Sequence, residues 1–94
     1  MEESKQIAIG LRNDLENELG MQSVINKLLS PLRNNTDNLS ATERLGYLTI
    51  AKLLLDYFIE NENFNIEFNF NNSSVANKYA EVKNALENIV YGKI

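Results

Sequence analysis

Residues 40–61 of this chain, SATERLGYLTIAKLLLDYFIEN, decide its fold class. The first four residues form a capping box, in which the Ser40 hydroxyl accepts from the third helical amide and Glu43 reaches back to the Ser40 amide. Apolar residues then cover most of the helix circumference, and a narrow polar stripe is formed by Lys52, Asp56 and Glu60. A helix that is apolar nearly all round is buried among others, so we expect this one at the centre of a helical bundle.

Three further segments show the periodicity of helices that have one apolar face. They span about residues 4–19, 22–32 and 73–91. Gly20 is expected to end the first of them in a left-handed conformation. Pro31 leaves open whether the second helix continues beyond it, because proline lacks the amide hydrogen that a helix interior needs. Since short connections favour antiparallel neighbours, the sequence predicts one all-α domain over residues 1–94, an antiparallel up-and-down four-helix bundle.

The composition of the chain removes most kinds of catalytic chemistry. It has no cysteine and no histidine, so it lacks the main ligands of transition metals and the usual general base near neutral pH. Its four glycines are isolated, and none forms a phosphate-binding loop. The carboxylate pairs Asp14–Glu18 and Asp56–Glu60 are typical of solvated helix faces. We therefore expect no enzyme activity, no cofactor and no metal.

Charge and hydropathy narrow the choice of partner. The net charge is −4 and the nine basic residues are scattered, which argues against binding to nucleic acid. The longest apolar stretch, residues 45–59, is too short and too charged to span a bilayer. The N-terminal residues MEESKQIAIG lack the apolar region of a signal peptide. These features predict a chain that neither binds nucleic acid nor spans a membrane.

Residues 64–70, FNIEFNF, interrupt the helical pattern between the third and fourth helices. Strict alternation of apolar and polar residues predicts an extended segment. Four side chains should share one side of it: Phe64, Ile66, Phe68 and Phe70. They would cover the bundle as a roof, form an exposed edge that pairs with a partner strand, or dock on a membrane-embedded target. The segment is one of two candidate contact surfaces.

Two other parts of the chain resemble a known family. Residues 11–20, LRNDLENELG, with the leucines that follow at 28, 29 and 32, are similar to the first helix pair of immunity proteins against pediocin-like bacteriocins. Residues 89–92, IVYG, are similar to the C-terminal tail of some members. The length of the chain, its four predicted helices and its lack of cysteine agree with that family.

The resemblance implies a function and a second contact surface. It implies a cytoplasmic protein, peripheral to the inner membrane face, that protects the bacteriocin-producing cell by binding the bacteriocin-bound sugar-transport receptor. The implied specificity element is the last helix with its tail: Tyr91, Gly92, Lys93 and Ile94. Two other functions stay open from the sequence, a phage- or plasmid-encoded inhibitor (an antitoxin or anti-defence protein) and a helical dimerisation module. The sequence determines neither the target nor the oligomeric state.

Overall fold

A computed structural model describes residues 2–29, 39–67 and 69–92 of the chain. These residues form four helices: α1 (Glu2–Asp14), α2 (Glu18–Leu29), α3 (Ala41–Asn61) and α4 (Ser73–Tyr91). No strand occurs in the described ranges, and the connection between α3 and α4 is extended. The predicted all-α four-helix bundle is therefore confirmed.

Helix α3 begins and ends within one residue of its predicted bounds because its N-terminal signal is local. Ser40 Oγ accepts from the Glu43 amide at 3.1 Å, and the Ser40 amide donates to Glu43 Oε1 at 3.4 Å. One face of α3 is fully buried and consists of Tyr47, Ala51, Leu54, Leu55 and Phe58. Its most extensive contacts are with α1 and α4. Leu45 and Leu53 are 66% and 42% exposed, so α3 buries one face and is not surrounded by the other helices as the sequence predicted.

The boundary between the first two helices differs from the prediction. Helix α1 ends at Asp14 rather than near residue 19, and α2 begins at Glu18 rather than near residue 22. Gly20 does not end α1 but lies in the first turn of α2, where its amide donates to Asn17 Oδ1 at 2.6 Å. A β-carbon at Gly20 would overlap the carbonyl oxygen of Asp14. Glycine is required here because the two helices approach so closely at their turn.

The apolar repeat in the sequence continues across the turn between α1 and α2. The boundary predicted from that repeat is therefore wrong. Leu19, the last residue of the predicted first helix, lies instead in the first turn of α2 and is 84% exposed. Asn17 caps α2 instead, since its carbonyl accepts from the Met21 amide at 2.9 Å. The predicted end of the second helix at residue 32, and the question of Pro31, lie outside the described residues.

Helices α3 and α4 run in the same direction, which differs from the antiparallel arrangement predicted for consecutive helices. Tyr47, near the start of α3, lines a depression with Ser73 and Ser74 at the start of α4, and its Oη donates to Glu81 Oε2 at 2.8 Å. Near the end of both helices, the rings of Phe58 and Tyr91 lie 5.8 Å apart. The reason is the extended connection at residues 62–72, which is long enough to run back along a helix of about 28 Å.

An exposed ion pair joins α1 to α3. Arg12 Nε donates to Asp56 Oδ1 at 2.7 Å, and Arg12 also donates to Glu16 Oε1 at 2.6 Å. These two hydrogen bonds, the one to Asp56 first, raise the pKa of the Arg12 guanidinium. The side chains of Asp56 and Glu16 are 51% and 68% exposed, so the pairs contribute little to the free energy of unfolding. Asp56 thus serves as the partner of Arg12.

Candidate contact surfaces

The described residues of the segment FNIEFNF lie along α4, with Phe64 and Ile66 turned to the bundle. Phe64 is 2% exposed, and Ile66 packs against the core. Asn65, Glu67 and Asn69 are exposed. The predicted alternation is therefore confirmed over residues 64–67, whereas Phe68 lies outside the described residues.

Three aromatic rings meet where α3 and α4 end. The rings of Phe58 and Phe64 stack with their centroids 4.5 Å apart and an interplanar angle of 24°. The ring of Tyr91 is close to perpendicular to both, with its centroid 5.8 Å from that of Phe58 and 5.9 Å from that of Phe64. Stacked and edge-to-face pairs at these distances stabilise beyond the area that they bury. This cluster, Phe58, Phe64 and Tyr91, is called the aromatic clasp below.

Tyr79 holds the middle of the extended segment against α4. Its hydroxyl donates to the carbonyl oxygen of Ile66 at 2.7 Å, and its ring lies 5.3 Å from that of Phe70. This hydrogen bond gives the Ile66 carbonyl a donor, which in a sheet a neighbouring strand would supply. Burial, and then the negative charge of Glu87, raise the pKa of the Tyr79 hydroxyl. The same two causes raise the pKa of Tyr91.

Asparagines make the turn from which the segment starts. Glu62 has a φ of 59° and donates its amide to the Phe58 carbonyl at 2.7 Å, so it ends α3 in the left-handed conformation. Asn63 Nδ2 donates to the Asn61 carbonyl at 3.1 Å, and Asn63 Oδ1 accepts from the Asn65 amide at 2.8 Å. Asparagine favours such turns because its side chain bonds the local backbone. The pattern NENFN at residues 61–65 carries this turn signal in the sequence.

The segment's first two apolar residues are placed as the roof interpretation requires. Docking of the segment's apolar side on a membrane would need Phe64 and Ile66 at the surface, and Phe64 is buried. Phe70 is half-buried against Tyr79. Of the four apolar residues proposed as a contact surface, Phe64 therefore serves the core.

The C-terminal end of α4 keeps part of its surface accessible. Gly92 ends the helix with a φ of 67°, and its amide donates to the Asn88 carbonyl. Tyr91 is half-buried, with its ring in the aromatic clasp. Lys93 and Ile94, the other predicted contact residues, lie outside the described residues. Tyr91 is thus the described member of the second predicted surface.

Helix α4 also lines two clefts that the sequence analysis did not predict. One, of about 350 Å³, lies between α2 and α4 and has Asn77, Asn84 and Asn88 along its wall. The other, of about 300 Å³, is a shallow polar depression beside Tyr47, whose ring lies 5.7 Å from Lys78 Nζ. The asparagine spacing in α4 was visible in the sequence, but the parallel packing that brings Lys78 to Tyr47 was not.

Comparison of the chain with known protein families, with curated proteins and with solved structures gives no match. Within the described ranges, no helix combines the length and the apolar character that crossing a membrane requires. The same residues hold no group of three or more acidic side chains that could bind a metal ion.

Proposed function

We propose that this chain is an immunity protein that protects a cell against a pediocin-like bacteriocin by binding, not by catalysis. The proposal is supported by the resemblance of residues 11–20 and 89–92 to that family. It agrees with the four-helix bundle and with a chain that has no histidine or cysteine. Its partner would be the bacteriocin-bound sugar-transport receptor at the inner face of the membrane.

The observation that carries the proposal is the aromatic clasp at the end of α4. Phe58 and Phe64 are 1% and 2% exposed, and both contact Tyr91. The last turn of α4 is thus held from two sides, by α3 and by the extended segment. A rigid contact surface loses less conformational entropy on binding than a mobile one. The clasp would therefore preorganise the end of the helix for recognition.

The proposed contact surface consists of Tyr91 with the two residues that follow Gly92, Lys93 and Ile94. Tyr91 is half-buried, and a tyrosine that keeps part of its surface accessible is a common anchor in protein interfaces. A lysine and an isoleucine beside it supply a positive charge and an apolar contact. The buried Phe64 has the supporting role of fixing Tyr91.

Expression of the chain in bacteriocin-sensitive bacteria tests the proposal. We expect the full chain to raise the inhibitory concentration of at least one member of a panel of pediocin-like bacteriocins. A variant that ends at Gly92 should keep its helical circular dichroism and lose the resistance. Lys52→Ala, which removes a lysine from the exposed face of α3, should keep it. Unchanged sensitivity to every bacteriocin of the panel would refute the proposed function.

A further inference from the structure

The cleft between α2 and α4 combines apolar and polar lining residues. Its volume is about 350 Å³, and Leu28 lines it from α2. Helix α4 supplies the other lining residues: Asn77, Ala80, Glu81, Asn84, Ala85 and Asn88. None of them belongs to the contact surface proposed above, so the cleft can be tested separately from the proposed function.

The polar residues of the cleft form one stripe along α4. They are Asn77, Glu81, Asn84 and Asn88. Their spacing of four, three and four residues places one side chain on each successive turn of the same helix face. The stripe is about 16 Å long, which is the length of about five residues of an extended chain. The small side chains of Ala80 and Ala85 flank it, so a backbone can approach the helix closely.

The three asparagines of the stripe keep their side-chain amides available. Each is exposed, and none of the described residues hydrogen-bonds to these amides. A carboxamide both donates and accepts, so it can pair with the N–H and the C=O of one residue in an extended chain. Asn84 and Asn88 lie about 6 Å apart along the helix axis, close to the spacing of about 6.6 Å between alternate residues of such a chain. The pair can therefore bind two residues on the same edge of an extended segment.

Glu81 is the charged residue among those that line the cleft. Tyr47 Oη donates to its Oε2 atom at 2.8 Å and so fixes the position of the carboxylate. Among the described residues the ion pairs are those of Arg12, and none involves Glu81. Lys78, one turn earlier in α4, lies instead over the Tyr47 ring, with Nζ 5.7 Å from the centroid. A half-buried carboxylate held by a neutral donor is matched best by an ammonium or guanidinium group.

We propose that this cleft binds an extended segment of a partner protein that carries a lysine or an arginine. The positive charge pairs with Glu81, and Asn84 and Asn88 hydrogen-bond to the backbone of the segment. Side chains that face Leu28 and Ala85 are small or aliphatic, because the lining there is apolar. The net charge of −4 favours the approach of a basic partner.

Titration of the full chain with two matched peptides, followed by ¹H–¹⁵N NMR, tests the proposal. The probes are acetyl-Ala-Ala-Lys-Ala-Ala-amide and the same peptide with Gln for Lys. We expect the lysine peptide to shift the amides of residues 77–88 saturably. The glutamine peptide should cause the same shifts and bind at least about fivefold more weakly, because it cannot pair with the carboxylate of Glu81.

Two variants separate the contribution of the charge from that of the amides. Glu81→Gln keeps an acceptor for Tyr47 and removes the charge. It should weaken the lysine peptide by about fivefold and change the glutamine peptide by less than about twofold, so that the preference for lysine disappears. Asn84→Ala should weaken both peptides alike, by about threefold or more, and keep that preference.

Glu87→Gln and Asn69→Ala are the matched controls. Glu87 is a half-buried carboxylate of α4 and Asn69 is an exposed asparagine, and both lie outside the cleft. Each variant should change the affinity of either peptide by less than about twofold, because distant charges are screened by salt and a distant amide makes no contact.

Equal losses in Glu81→Gln and Glu87→Gln, or in Asn84→Ala and Asn69→Ala, would overturn the proposal. Equal binding of the two peptides, no saturable shift, or shifts confined to residues outside the cleft would do the same. Binding of Nα-acetyl-lysine amide as tight as that of the lysine peptide would also overturn it, in favour of a site for a small cation.

Discussion

The ring of Phe64 stacks on the ring of Phe58 at 4.5 Å, and this contact bridges the turn by which the chain leaves α3. The two residues flank the left-handed cap at Glu62. Their stacking fixes the direction in which the extended segment departs, and Tyr91 then locks the end of α4 onto the same rings. This aromatic contact thus joins the ends of the two parallel helices α3 and α4.

Truncation of Phe64 should cost much of the protein's stability. Phe64→Ala removes a buried ring together with its contacts to the rings of Phe58 and Tyr91. We expect a decrease of about 3 kcal/mol or more in the free energy of unfolding, measured by urea denaturation. Phe64→Leu keeps most of the volume and should cost about 1–2 kcal/mol.

Phe70→Ala is the control for this prediction. Phe70 belongs to the same segment and has Tyr79 as a ring contact, but it is only half-buried. Its truncation should therefore cost clearly less than that of Phe64. Equal losses for the two alanine variants would contradict the role given to the aromatic clasp.

Alanine should have opposite effects at two glycines of the first helix pair. At Gly20 the added methyl group overlaps the Asp14 carbonyl, so α1 and α2 must move apart. At Gly10, an exposed position of α1, no atom lies within 4 Å of the added carbon. We expect Gly20→Ala to lower the free energy of unfolding by about 1–3 kcal/mol and Gly10→Ala to raise it by about 0.5–1 kcal/mol. Thermal and urea denaturation of both variants measure this; a stabilising Gly20→Ala would refute the close approach.

Glycine should be favourable at the end of α3. Glu62 adopts a φ of 59°, a conformation that costs a side-chain-bearing residue about 1 kcal/mol. Glu62→Gly should therefore raise the free energy of unfolding by about 0.5–1 kcal/mol. Glu60→Gly, inside the same helix, should lower it by about 1 kcal/mol. Chemical denaturation of the pair checks the sign, and a decrease in both would count against the left-handed cap.

Stability should decline at alkaline pH through Tyr79. Its pKa is raised in the folded state by burial and then by Glu87, so the folded protein holds the hydroxyl proton more tightly than the unfolded chain does. The stabilisation is fully present below the unfolded pKa of about 10 and is lost as pH rises through the folded pKa. Tyr91 contributes in the same direction.

Tyr79→Phe isolates this contribution. At neutral pH it should lower the free energy of unfolding by about 1 kcal/mol, because the Ile66 carbonyl loses its donor. Between about pH 9 and about pH 11 the variant should lose less stability than the parent does. Urea denaturation across this range measures the difference, and parallel pH profiles would show that Tyr79 is not the group responsible.

Local signals explain what the sequence predicted well. The capping box at Ser40 and Glu43 and the left-handed Gly92 involve neighbours in the chain, so α3 and α4 could be bounded from residue order alone. The alternation from Phe64 to Glu67 likewise reports a burial pattern that the backbone geometry imposes.

Tertiary contacts explain what the sequence did not predict. The leucine repeat in the sequence continues past Asp14, although α1 ends there. The close approach of Gly20 to the Asp14 carbonyl shows that the chain turns at this point. The cleft between α2 and α4 depends on how those helices approach, which periodicity does not encode. The parallel direction of α4 likewise shows only in contacts between residues far apart in the chain, such as Phe58 with Tyr91.

Isolation of the sugar-transport receptor with this chain tests the proposed mechanism most directly. Membranes of a sensitive strain are treated with a bacteriocin against which the chain gives resistance, and their proteins are then solubilised. The tagged chain is used to capture the transporter from this extract. The variant that ends at Gly92 is the control. The proposed mechanism predicts that the full chain retains the transporter when the bacteriocin is bound and not without it, while the shortened variant retains none. Recovery that does not depend on the bacteriocin, or no recovery from a strain that the chain protects, would contradict it.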